Sequence, residues 1–196
     1  MWAQRMRLGL GAILLLAGCS DAGSDPDTEA DEPRAPSHTT CRGSLGPEVI
    51  EGDLIVPAGK RCELDRTKVR GRVTVEADAT LVARKARFGG GVSAHGFERV
   101  ELQRVWPRGD SATWRGPDYV FDRGRHLVIR GGDSDASYYV LGNTGRVEIR
   151  SLSLDLGGVY CAGNTRPPVV RGVAGETPGV LKGQCAGLKN FGETDF

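Results

Sequence analysis

The chain has 196 residues, with 26 Lys and Arg against 25 Asp and Glu and a formal net charge of +1 at pH 7. From Cys41 onward 23 basic residues face 19 acidic ones, a mild positive balance that does not argue for nucleic acid as a partner. Metal-ligand, phosphate-loop and dinucleotide signatures are absent, so no cofactor or metal is expected.

The amino-terminal stretch is an address. Met1 to Arg7 carry two arginines and no acid, Leu8 to Leu16 are apolar apart from two glycines, and Ala17 and Gly18 precede Cys19. Charged start, short apolar run and small residues make a secretory signal over residues 1–18, too short to span a bilayer. Its "LAGC" ending resembles the bacterial lipobox, which implies lipidation of Cys19 and removal of the peptide before it. Several acyl chains hold a protein on a membrane far more firmly than one. The implied location is the cell envelope, lipid-anchored. Ser20 after the Cys resembles an outer-membrane sorting signal if the source is Gram-negative.

Residues 20–40 hold six acids, one arginine, three prolines and no large apolar side chain. Such a segment cannot repay its ordering entropy by burial, so residues 19–40 read as a lipidated Cys on an acidic tether. Once Cys19 is lipidated, four cysteines remain in an oxidising compartment, enough for two disulfides.

Residues 41–196 carry an internal period. "GDLIV" at 52, "GRVTV" at 71 and "GGVSA" at 90 start 19 residues apart, and "RCEL" at 61 and "TLVA" at 80 keep the same interval. Further on, Leu127 and Ile129 lead to Val147 and Ile149 by 20, and Tyr119 and Phe121 lead by 20 to Tyr139 and Leu141 and then to Val159 and Cys161. Short alternating strands at this repeat, with Gly and polar turns but no helical segments between them, predict an all-β right-handed parallel β-helix. A left-handed helix wants an 18-residue coil, which the chain does not keep. A third column through Val69, Phe88 and Val105 predicts a triangular cross-section. About six to seven coils at ~4.8 Å per rung would give a rod of roughly 30 Å.

Neighbouring rungs ~4.8 Å apart lie within the Cα separation a disulfide tolerates. Cys41 precedes the inward position Cys62 by 21 residues and Cys185 follows Cys161 by 24. The predicted pairs are therefore Cys41–Cys62 and Cys161–Cys185, each joining a terminal coil to its neighbour where a solenoid frays most easily.

The closing segment "GGVYCAGNTRPPVVRGVAGETPGVLKGQCAGL" is similar to that of secreted bacterial β-solenoid proteins. The likeness rests on Cys161, Asn164, Pro167, Pro168, Lys182, Gly183, Gln184 and Cys185, and implies fold and compartment without an activity. A looser likeness to the bactofilins, polymer-forming β-helix scaffolds, involves only the coil pattern.

One coil breaks the period, because Val100 and Leu102 reach Leu127 and Ile129 after 27 residues. The surplus falls in "RVWPRGDSATWRGPDY", residues 104 to 119, which carries Arg104, Trp106, Arg108, Trp114 and Arg115. Insertions in repeat proteins map to surface loops, often on a binding face. Exposed Trp offers stacking surfaces to sugar rings and Arg forks onto carboxylate or phosphate. The plainer reading makes the loop a cover over the rod; of its two Trp residues, Trp114 is the one expected to face solvent.

Basic residues also stack in register, Lys68 over Arg87, Lys85 over Arg104 and Arg130 over Arg150. Such stacks want an anionic ligand or internal acids such as Glu101 and Glu148. Asp135 and Asp155, 20 apart, are the weak candidates for catalysis on a fold that elsewhere hosts polysaccharide cleavage, yet no nucleophile motif accompanies them and stacked aspartates also serve as turn formers. Three functions follow: a non-catalytic envelope lipoprotein presenting a rigid face to anionic glycan or a protein partner, a polysaccharide-active enzyme, or an end-to-end scaffold. The first is favoured, as a monomer, because pinned caps blunt the exposed strand edges.

Overall fold

The computed structural model describes residues 38–107, 118–134, 136–154, 157–175 and 180–186. They form a β-solenoid in which every strand pair is parallel and successive coils stack as rungs of about seven turns. One eight-stranded sheet runs from His38–Thr40 through Asp53–Val56, Val73–Val75, Val92–His95, Tyr119–Asp122, Tyr138–Leu141 and Val159–Ala162 to Leu181–Gly183. We call it the first sheet. The second sheet has seven strands, Ser44–Leu45, Arg61–Asp65, Thr80–Arg84, Arg99–Gln103, His126–Arg130, Arg146–Arg150 and Val169–Arg171. Two-residue strands make the third side, four from Val49–Ile50 to Trp106–Pro107 and then three of two residues each from Asp133–Ser134 to Ala174–Gly175.

Alternation along each strand decides what is inside. On the first sheet Leu54, Val73 and Val92 stack in register, as do Val56, Val75 and Ala94. On the second, Cys62, Leu81, Val100, Leu127 and Val147 form one inward column, with Leu64, Ala83, Leu102, Ile129 and Ile149 beside it. All of these are buried. The 27-residue step keeps the register of both columns, so the surplus leaves the coil between Pro107 and Asp118 without disturbing the sheets.

Two registers differ from the sequence expectation. Tyr119 and Phe121 stack on Tyr138 and Val140, not on Tyr139 and Leu141, and the next step to Val159 and Cys161 is therefore 21 residues. Tyr138 and Val140 are buried, and Tyr139 lies outside, stacked at 5.0 Å on Tyr160. "YYVL" is apolar in both parities, so its alternation alone cannot say which half faces in. On the third side Phe88 follows Val69 as expected but pairs onward with Pro107. Val105 instead sits two residues earlier, at the inner corner above Ala86. The short third-side strands leave room for this corner column, which also holds the buried Thr67, Leu152 and Val173.

Where the chain turns from the first sheet to the second, a carboxamide ladder replaces apolar packing. Asn143 Oδ1 accepts from the Gly124 amide at 2.9 Å, and its Nδ2 donates to Phe121 O and to Asn164 Oδ1. Asn164 repeats the pattern one coil on, donating to Val140 O at 3.0 Å and to Gln184 Oε1 at 2.9 Å. Gln184 closes the stack by donating to Asn164 O. At the other end the Phe97 ring lies over Gly124, where a Cβ would come within 2.1 Å of it. The disulfides join Cys41 to Cys62 and Cys161 to Cys185, with Cα separations of 5.5 and 5.4 Å, the pairing that the coil spacing predicts.

Two buried polar groups make opposite predictions. Truncating Asn164 to Ala strands several buried donors and acceptors and should cost about 2–4 kcal/mol in denaturant unfolding under oxidising conditions. The Tyr119 hydroxyl is buried with no hydrogen-bond partner among the described residues, so Tyr119→Phe should leave stability unchanged or raise it by up to about 1 kcal/mol. A loss in the Tyr119 variant as large as that in the Asn164 variant would contradict this assignment.

Candidate functional site: a basic edge on the second sheet

The outward face of the second sheet is ordered by a simple alternation. Its central column reads Glu63, Val82, Glu101, Val128, Glu148 and Val169 in register. Adjacent rungs are ~4.8 Å apart, and placing Val between glutamates holds the like charges two rungs apart, which roughly halves their repulsion. The same 19- to 20-residue step that locates the core, applied to the middle residue of each strand, would have found this column.

Each glutamate is clamped by cations from the flanking columns. Arg61 Nε lies 2.7 Å from Glu63 Oε1, and Arg99 Nη2 lies 2.6 Å from Glu101 Oε2 while Gln103 donates to the other oxygen. Glu148, 1% exposed, is held by Arg146 and Arg130 through hydrogen bonds and by Arg150 Nε at 2.6 Å. Burial alone would push both carboxyls up. For Glu148 the charges of Arg150, Arg146 and Arg130 outweigh burial and hold it below the usual carboxylate range, and Arg99 and Gln103 do the same for Glu101. His126, between Arg99 and Arg146 in register, is pushed below the usual imidazole value by burial and by those two cations, and so stands neutral at pH 7. The acids absorb much of the stacked positive charge, as the shared strands of Glu101 and Glu148 predict.

The edge of this face behaves differently. Each strand of the second sheet ends at a corner, and from the second coil onward every rung places a cation there: Arg66, then Arg84 with Lys85, then Arg104, Arg130, Arg150 and Arg171. Arg66 leans on Asp65, and Arg130 and Arg150 reach back to Glu148. Arg84, Lys85 and Arg104 have no carboxylate within ion-pair distance among the described residues, and all three are exposed. Together with Asp65, Gln103 and Arg130 they line a pocket of about 340 Å3, at the small end of the ~300–1,000 Å3 typical of ligand sites.

The backbone at this corner is left-handed. Arg66, Lys85 and Arg104 have φ of 56°, 51° and 51°, and the same corner is filled higher up by Gly131, Ser151 and Gly172. Glycine takes this conformation without steric cost, whereas other L-residues pay about 1–2 kcal/mol. Three consecutive rungs therefore carry a long cationic side chain where a glycine would be more stable. Strain kept at a position where a cheaper residue exists marks function more than folding.

Of the residues singled out in the sequence, the structure places Arg104 at this pocket and Trp106, half-buried, on the third-side strand beside it in sequence, paired with Arg87. Arg108, Trp114, Arg115, Asp135, Asp155 and Cys19 lie outside the described residues. Sequence reading paired Lys85 with Arg104 and missed Arg84, Gln103, Arg130 and Asp65, although the repeated basic residue ending "LVARK", "ELQR", "VIR", "EIR" and "VVR" carries the signal. Among the described residues no cluster of three or more His, Cys, Asp or Glu could hold a metal ion, and no helix is long and apolar enough to cross a membrane. No protein-family model, no curated protein and no solved structure matches the chain.

The glutamate clamps set a pH dependence. A carboxyl held below its ordinary value contributes stability that is complete above about pH 4.3 and is lost as pH falls through the lower folded-state value. Thermal unfolding should therefore weaken on acidification below that range. Glu148→Gln should flatten the profile and cost about 1–3 kcal/mol at neutral pH, less than a fully buried pair because the arginines are 40–57% exposed. An unchanged acid limb in the variant would show that the clamp does not carry it.

Proposed function

We propose that the protein is a non-catalytic envelope lipoprotein, anchored through Cys19 and held off the membrane by its acidic tether, whose solenoid presents a rigid lateral face to an anionic glycan or a protein partner. In a Gram-negative source the anchor would lie in the outer membrane. The observation that carries this reading is the basic edge: unpaired cations on consecutive rungs of a rod cross-linked at both ends, held in a backbone conformation that favours glycine. A stack of parallel strands fixes the spacing of such groups, so a ligand meets them without an ordering cost on the protein side. The sequence features that support the anchor are the tripartite leader and the position of Cys19 within "LAGC". Arg108, Trp114 and Arg115 in the long insertion extend the same proposed binding face. Nucleic acid is disfavoured by the modest charge and by the envelope address.

Two measurements test this. Cells expressing the chain should incorporate labelled palmitate into it, and Cys19→Ala should abolish incorporation and leave the unprocessed precursor. The purified full chain on a glycan array should retain acidic glycans over neutral ones, with retention lost as salt is raised. Retention of neutral glycans alone would reject the lateral-face reading, and turnover of any retained glycan would move the assignment to an enzyme.

A further inference from the structure

The basic edge has a periodicity and a composition that together narrow the ligand beyond an anion of unspecified kind. Cations recur on every rung from Arg66 to Arg171, along the rod axis, at ~4.8 Å per step. A compact anion would need one cluster of donors and would gain nothing from the rungs above and below. A linear polymer with an anion on each unit meets the whole series. The pocket is also mixed in chemistry. Asp65 sits among Arg84, Lys85, Arg104 and Arg130, and Gln103 lies between them with its Nε2 committed to Glu101 and its carbonyl oxygen turned to other use. A carboxylate at a site built for phosphate would repel the ligand's charge, whereas one at a sugar site accepts a hydroxyl proton. Asp65 and Gln103 supply acceptors for hydroxyls, and the arginine forks fit a planar carboxylate in bidentate fashion.

We propose that this edge is a track for a linear polyuronate, a polysaccharide bearing one carboxylate on each sugar, lying parallel to the rod axis with its carboxylates on Arg84, Lys85, Arg104 and Arg130 and its hydroxyls toward Asp65 and Gln103. The proposal rests on the glycan-binding reading above and adds the ligand's chemistry, its direction and the residues that take it. The glycine-favouring corner gives the proposal an unusual handle. Replacing Lys85 and Arg104 by Gly removes two central cations and at the same time relieves the backbone, so loss of binding cannot be blamed on unfolding.

The test uses the purified full chain and galacturonate oligomers of one to eight units, by calorimetry at low salt. Affinity should climb steeply with length and flatten at about six to eight units, when the oligomer spans the basic rungs. Lys85→Gly with Arg104→Gly should weaken the longest oligomer by at least about tenfold, or 1.4 kcal/mol, while leaving the melting temperature unchanged or higher. Asp65→Asn should weaken galacturonate oligomers while strengthening binding of inorganic phosphate. Affinity independent of length, a double variant that binds at full strength, or equal binding of inorganic phosphate or of phosphatidylglycerol vesicles would each overturn the track. If the double variant keeps full retention of acidic glycans on the array, the track fails and the lateral-face reading survives. If the native chain retains no glycan at all, the broader reading fails with it.

Discussion

In a parallel solenoid each side chain has its nearest neighbours in the rungs above and below, ~4.8 Å away and at the same position of the coil. The chain must therefore be compatible with itself, column by column. Apolar columns satisfy this by stacking like on like, as Leu127, Val147 and their neighbours do. Polar columns need a pattern that tolerates self-contact, and this protein shows two. Carboxamides carry donor and acceptor in one group, so Asn143, Asn164 and Gln184 link head to tail without a charge. Glutamates repel one another, and here they occur only on alternate rungs with Val between them.

The same constraint explains what the sequence disclosed. A core residue recurs at the coil length, so two columns keeping one period exposed the fold, and the cysteines fell out of it because a bridge between adjacent rungs needs no further geometry. The register was lost only where periodicity stopped discriminating. "YYVL" offers an apolar residue at either parity, and its coil length changes from 19 to 21 across it. A second signal was present: "GNT" at 142 and again at 163 is 21 residues apart. Read as a polar column it fixes the step that places Tyr138 and Val140 inside. The closing motif around Asn164 and Gln184, met first as a resemblance, has its physical account in that ladder and in the Cys161–Cys185 bridge beside it.

The basic edge was less legible, because a sequence shows that cations recur but not which of them are already spent. Arg99, Arg130, Arg146 and Arg150 belong to the same stacks as Arg84 and Lys85, yet each of the four is turned onto a glutamate. That distinction depends on side-chain direction within one rung. Left-handed backbone at Lys85 and Arg104 is equally hidden, since the usual marker for such a corner is the glycine that these positions lack.

Position within the rung decides which cations can be neutralised from inside the sheet. A flanking arginine lies one pleat from the central column and can fold back onto it, as Arg146 and Arg150 do from either side of Glu148. A residue on the left-handed corner has already turned away from that face, and on the coils of Lys85 and Arg104 the residue before it is Arg84 or Gln103 rather than an acid. Only Arg66, preceded by Asp65, has an acid at hand and uses it. The corner therefore accumulates charge that the fold cannot absorb, against a steric penalty that the fold could avoid with glycine. Both costs fall on the same rungs, and both are offset only by something outside the chain.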